Sequence, residues 1–302
     1  MVIRHSVIGL AVLLLAGCGA GTDGPAADPD TAGGRVAVVA STNVYGSIVA
    51  AVGGDRVQVT TLIDDPAADP HSYESTPTDA AAVAGAQLVV YNGGGYDDWM
   101  QQLVGSAGDG RDVIDVTELS GLATGDEFNE HFWYSLPTVQ KLAGTVATEL
   151  GTADPAHAAE FTANAGAFGA RVGELQARAQ AIGDAHPGAR IAVTEPVPAY
   201  LLESAGLVDA TPPEFAEAVE EDTDPPAAVV AQTMALFGTD PVRALIVNAQ
   251  TVTPTTEQVR QAAQTDGVPI VEVTETLPAG TTDYTSWMGA QIDALAAALQ
   301  KG

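Results

Sequence analysis

The chain has 302 residues, enough for two ordinary domains, and 46% of them are hydrophobic, which excludes a disordered protein. Its 39 Asp and Glu against 11 Lys and Arg give a formal net charge of −28. Such a surface repels nucleic acid and anionic headgroups and concentrates cations, so nucleic-acid binding is set aside.

Residues 1–18 read as a short export signal: Arg4 and His5, then an apolar run over 7–16 that is too short to span a bilayer as a helix. The run ends on Leu15-Ala16-Gly17-Cys18, which matches the lipobox of bacterial lipoproteins and makes Cys18 the expected lipidation site. Cys18 is the sole cysteine, so neither an internal disulfide nor a thiolate metal site is available. Residues 19–34 are small, polar and rich in Gly and Pro, as in a flexible tether. The expected location is the cell envelope, anchored by lipid to the outer face of the cytoplasmic membrane.

From residue 35 short β-branched runs alternate with helical stretches. Strands are predicted at 35–40, 57–63, 87–91 and 112–116, with helices at 44–52, 78–86, 97–104 and 135–150. Asp154-Pro155 is a helix start, with Asp as N-cap and Pro at the first helical position, and little breaks the pattern until Gly183 and Pro187. A helix of about 30 residues spans roughly 45 Å, which suits a rod joining two lobes. Alternation then resumes: strands at 190–194, 244–248 and 269–273, helices around 200–205, 229–237, 255–265 and 284–300. The expected class is α/β, with two similar lobes of mainly parallel sheet flanked by helices and joined by one long rigid helix. The predicted divisions are 35–153 for the first lobe, 154–186 for the linker helix and 187–302 for the second lobe. The acidic run within 214–224 reads as a solvated loop or helix end and not as a site.

Of five histidines, His5 belongs to the signal, His157 to the polar start of the long helix and His186 to a turn. His71 and His131 follow predicted strands, at the ends where open α/β sheets place ligands. Glu195 directly follows the strand at 190–194, and Asp283 opens the last helix. Imidazole with carboxylate suits first-row divalent ions, and two anions neutralise a dication in a cleft. No HExxH or CxxC pattern supports a site locally, and Gly93-Gly94-Gly95 after a strand is not a dinucleotide fingerprint.

The residues from Asp69-Pro70-His71 through Thr76-Pro77-Thr78-Asp79 resemble the Asp-Pro-His…Thr-Pro-x-Asp signature of the zinc/manganese-binding ABC transporter solute-binding lipoproteins. The resemblance continues at Tyr91–Met100, at Asn129-Glu130-His131-Phe132-Trp133, at Thr194-Glu195-Pro196 and at Asp283-Tyr284, in order and spacing from residue 35 onward. It implies a metal site in the inter-lobe cleft with His71, His131, Glu195 and Asp283 as ligands. It also implies one divalent transition-metal ion, Zn or Mn, as cargo, an ABC permease and its ATPase as partners, a monomer, and no catalysis. Ser135 stands where many relatives carry Asp, and the His-rich loop of many zinc-specific members is missing, which argues against zinc alone. The competing readings are a metal-dependent hydrolase, which needs an open coordination position and a general base, and a surface adhesin that retains the fold.

Overall fold

A computed structural model describes residues 34–66, 68, 70–122, 128–239 and 241–301. The signal, Cys18 and the tether up to residue 33 lie outside the described residues, as does Asp69 of the His71 motif.

Two four-stranded sheets form, and every strand pair in them is parallel. The first holds β1 (Val36–Thr42), β2 (Val57–Ile63), β3 (Leu88–Tyr91) and β4 (Asp112–Asp115), in the order β2-β1-β3-β4. The second holds β5 (Arg190–Val193), β6 (Val208–Asp209), β7 (Leu245–Asn248) and β8 (Ile270–Val273), in the order β6-β5-β7-β8. The two lobes therefore share one topology. Central strands β3 and β7 are buried along their whole length, as their unbroken runs LVVY and LIVN require of strands covered on both faces.

Helices α1 (Asn43–Gly53), α2 (Pro77–Gly85), α3 (Asp98–Ser106), α4 (Val116–Ser120) and α5 (Leu136–Ala153) serve the first lobe. Helices α7 (Ala199–Ser204), α8 (Pro213–Glu220), α9 (Ala227–Ala235), α10 (Pro254–Thr265) and α11 (Tyr284–Leu299) serve the second. Matching capping boxes start α2 at Thr76 and α10 at Thr253, each with Pro at the first helical position.

The linker is a 3-10 turn at Pro155–His157 followed by α6 (Ala158–Ala185), 28 residues long. Asp154 does not cap it: its carboxylate is taken by His157 Nδ1 at 2.6 Å. The buried positions of α6 (Phe161, Phe168, Val172, Leu175, Ala179 and Ile182) are spaced by seven residues and then by three or four, and form one stripe. That stripe belongs to a single core shared with α1, α5, β5 and α11, so the rod is packed along its length. At Gly183 a Cβ would stand 2.4 Å from the Ala205 carbonyl oxygen, so this crossing admits only glycine.

Candidate metal centre

His71 sits in the connection between β2 and α2, and the motif around it serves to hold that connection still. Trp99 Nε1 donates to the Pro70 carbonyl at 3.2 Å, and the Tyr73 ring lies 4.6 Å from that of Trp99. Asp79 Oδ2 accepts from the Thr76 N–H, the Thr76 hydroxyl and the Tyr73 hydroxyl, at 2.7, 2.8 and 3.0 Å. The Thr-Pro-x-Asp pattern is thus a capping box that also anchors the histidine loop. His71 packs edge-on to Tyr96 at 4.8 Å.

His131 precedes the 3-10 turn Phe132–Tyr134 and is wholly buried. Asn129 fixes its tautomer. Asn129 Nδ2 donates to the Pro196 carbonyl at 2.8 Å, so Asn129 Oδ1 faces the histidine and can only accept. It receives the His131 N–H at 2.9 Å and lies 2.7 Å from Nδ1. Nδ1 therefore carries the proton, and Nε2 presents its lone pair to the cleft. Trp133 lies edge-on to the imidazole at 5.2 Å. Burial, and then the neighbouring His71, hold the His131 pKa well below its ordinary 6.5, so the ring stays neutral and ready to ligate.

Between these elements Gly93 takes φ +74°, and its N–H donates to Asp97 Oδ1 at 2.7 Å, while the Asn92 N–H donates to Asp97 Oδ2 at 2.8 Å. Burial pushes the Asp97 pKa up to about 6 despite those donors. The glycine turn is a support for Tyr96, not a phosphate cradle.

The second lobe contributes carboxylates. Glu195 lies two residues beyond β5 and Glu275 two beyond β8, at the same ends of parallel strands, and both are buried. Glu275 Oε2 stands 3.8 Å from His71 Nε2, and Glu275 Oε1 accepts from Asn248 Nδ2 at 2.8 Å. Gln250 Oε1 receives the Glu275 N–H at 2.6 Å, while Gln250 Nε2 donates to the Pro66 carbonyl at 3.0 Å, in the connection that carries His71. Glu220, the last residue of α8, places Oε1 3.4 Å from His131 Nε2 and 3.7 Å from His71 Nε2. Glu130 Oε1 is 4.0 Å from His71 Nδ1, and burial raises its pKa. His71, Glu195, Glu220, Asp222, Thr251 and Glu275 line a cavity of about 20 Å³, room for one water-sized particle. Ligand-capable atoms of His71, His131 and Glu275 lie within 4.8 Å of one another, as do those of His71, Glu130 and Glu220.

Of the expected residues, His71, His131 and Glu195 reach this centre and Asp283 does not. Asp283 is the N-cap of α11: its Oδ1 accepts from the Ser286 N–H and the Thr285 hydroxyl, both at 2.8 Å. Burial opposes its ionisation, but those hydrogen bonds outweigh it and keep the pKa low. Glu275, eight positions earlier, stands at the cavity instead. The strand-end rule that selected Glu195 also points to Glu275, which follows the predicted strand at 269–273. The acidic run within 214–224 also needs correction, because Glu220 and Asp222 from it line the cavity. β6, only two residues long, carries no legible pattern of its own, whereas α8 has Pro213 at its first position and buries Phe215, Ala216 and Val219 on one face.

The family described as zinc-uptake complex component A, periplasmic, matches residues 38–298. The manganese-binding lipoprotein MntA of Halalkalibacterium halodurans is 31% identical over 176 residues, 56% of each chain, so the match spans about half the length of that curated relative. Among solved structures, the periplasmic zinc-binding protein TroA from Treponema pallidum superimposes with a TM-score of 0.74 at 21% identity, over 88% of this chain and 99% of that one. The solute-binding protein FpvC from Pseudomonas aeruginosa in complex with Mn2+ gives 0.72 at 25% identity, over 88% and 98%.

Proposed function

Because the chain belongs to the family of the periplasmic zinc-uptake component A, we propose that it captures one divalent transition-metal ion, zinc or manganese, outside the cytoplasm and delivers it to an ABC permease with its ATPase. In this reading His71, His131, Glu195 and Glu275 hold the ion. The observation that carries it is that His71, Glu195 and Glu275 line a cavity of one-ion size, and that ligand atoms of His71, His131 and Glu275 lie within 4.8 Å of one another. The metals in the names of similar proteins, manganese for MntA and zinc for TroA, agree with a mixed nitrogen and oxygen donor set. The reading includes Cys18 as the lipid anchor, residues 19–34 as tether, a monomer, and lobes 35–153 and 187–302 around the linker helix.

Capture in this arrangement proceeds by local movement. Asn43 and Leu277 exchange hydrogen bonds between the lobes at 2.8 and 3.2 Å, Tyr284 Oη donates to the Trp133 carbonyl at 2.7 Å, and α6 is packed into both lobes. Wide hinge opening would break all of these together. His71 is the most exposed of the four proposed ligands, so it marks the solvent side of the site.

The test is metal analysis of the purified protein beside a His71→Ala, Glu275→Ala double variant. About one equivalent of zinc or manganese in the parent, lost in the variant, is expected. A metal-free parent, or a variant that keeps its ion, would overturn the assignment.

A further inference from the structure

The position of Glu220 goes beyond a four-ligand site. His131 Nδ1 carries the ring proton, so His131 Nε2 is an acceptor, wholly buried and without a hydrogen-bond partner. Another acceptor, Glu220 Oε1, faces it at 3.4 Å. That oxygen is also 3.7 Å from His71 Nε2. Two acceptors at this distance repel each other unless a proton or a metal ion lies between them, and the nearby third donor atom, His71 Nε2, favours the metal ion. The 3.4 Å separation matches an edge of a coordination polyhedron, since metal-ligand bonds of 2.0–2.1 Å in a tetrahedron place neighbouring donor atoms about 3.3–3.4 Å apart, and the 3.7 Å separation is slightly wider.

The backbone holds this donor in place. Helix α8 ends in a Schellman motif: the Thr223 N–H bonds to the Ala218 carbonyl at 2.8 Å and the Asp222 N–H to the Val219 carbonyl at 3.2 Å. Asp222 occupies the left-handed position at φ +52°, where glycine is usual, and is the only described non-glycine residue with positive φ. The Glu220 carboxylate is therefore presented by the locked end of a helix, with its side chain only 16% exposed.

We propose that Glu220 is a fifth donor to the cargo ion, giving an oxygen-majority cage of Glu195, Glu220 and Glu275 with His71 and His131 that favours manganese over zinc. This rests on the metal-capture reading above. Zinc is satisfied by four donors in a tetrahedron, whereas the harder Mn2+ favours carboxylate oxygen and higher coordination. Removing one carboxylate therefore costs manganese more than zinc.

The test compares the full chain with Glu220→Gln, which keeps shape and removes the charge, and Glu220→Asp, which keeps the charge and retracts it by one methylene. Binding of Mn2+ and of Zn2+ is measured by competition with a chromophoric chelator, and bound Co2+ reports coordination number through its visible spectrum. Both variants are expected to lose more than about tenfold in Mn2+ affinity and less than about threefold for Zn2+, with Co2+ absorbance rising toward the four-coordinate form. Wild-type Mn2+ affinity in Glu220→Gln overturns the proposal, as does equal loss of both ions with an unchanged Co2+ spectrum. Wild-type behaviour of Glu220→Asp beside a weak Glu220→Gln reduces Glu220 to a distant field and also overturns it. A parent chain that binds neither ion overturns the metal-capture reading itself, and this proposal with it.

Discussion

The two lobes share a strand order but support their cleft-facing groups in different ways. On the first lobe the imidazoles are held by rings: His71 against Tyr96, His131 against Trp133, and Tyr96 against Trp133 at 4.6 Å. On the second lobe the Glu275 carboxylate accepts from the Asn248 side-chain amide, while the Gln250 side-chain oxygen accepts from the Glu275 backbone N–H. The difference follows from charge. A neutral imidazole can be buried in an aromatic wall, at the cost only of a depressed pKa, whereas a buried carboxylate needs donors. The two supports meet at Asn129 and Gln250, which each hold a candidate-site residue of one lobe and a backbone carbonyl of the other.

The sharpest way to break this comparison is to remove one of those bridges. Asn129→Ala frees the His131 tautomer and severs the tie to Pro196, and is expected to weaken metal binding by about 10–100-fold, the usual cost of losing a partner behind a ligand. Titration calorimetry checks it, and unchanged affinity would mean that ring packing alone orients His131.

A smaller effect lies in the pH dependence of the metal-free fold. His131 has a depressed pKa, so its contribution to stability is present above 6.5 and is lost as pH falls below that value. Asp97 works the other way. Its pKa is raised to about 6, so its contribution is present below the ordinary 3.8 and is lost as pH rises through about 6. Thermal midpoints of the apo-protein between pH 7 and 5 should therefore fall less in His131→Gln than in the parent. Identical slopes would show that the aromatic wall does not disfavour the imidazolium.

The smallest expected effect concerns Asp283. Replacing it by Ala removes an N-cap and should lower stability by about 0.5–2 kcal/mol, while leaving metal affinity within about twofold. Denaturant melts and a metal titration read the two quantities separately. A large loss of affinity would return Asp283 to the ligand set in place of Glu275.

Periodicity and punctuation were enough for most of the architecture. The strand at 57–63, the capping signals at Thr76-Pro77 and Thr253-Pro254 and the long helix before Gly183 each depend on local backbone preference and on burying one face, and both are written in neighbouring residues. His71, His131 and Glu195 are singled out in the sequence by predicted strand ends together with the resemblance to the metal-binding solute-binding lipoproteins, and all three lie at the candidate centre. The fourth carboxylate was not resolved in this way. Asp283 and Glu275 are both acidic residues between β8 and α11, and only the path of the intervening loop turns one into a helix cap and the other toward the cavity. Glu220 lay further out of reach, since its place depends on a two-residue edge strand and a Schellman turn. The linear order of the chain thus determined the two-lobed fold, the histidines and the acid-rich character of the cleft. Tertiary structure alone decided which acids face the imidazoles, because that choice is made by contacts between residues up to 204 positions apart, such as His71 and Glu275, which no local pattern encodes.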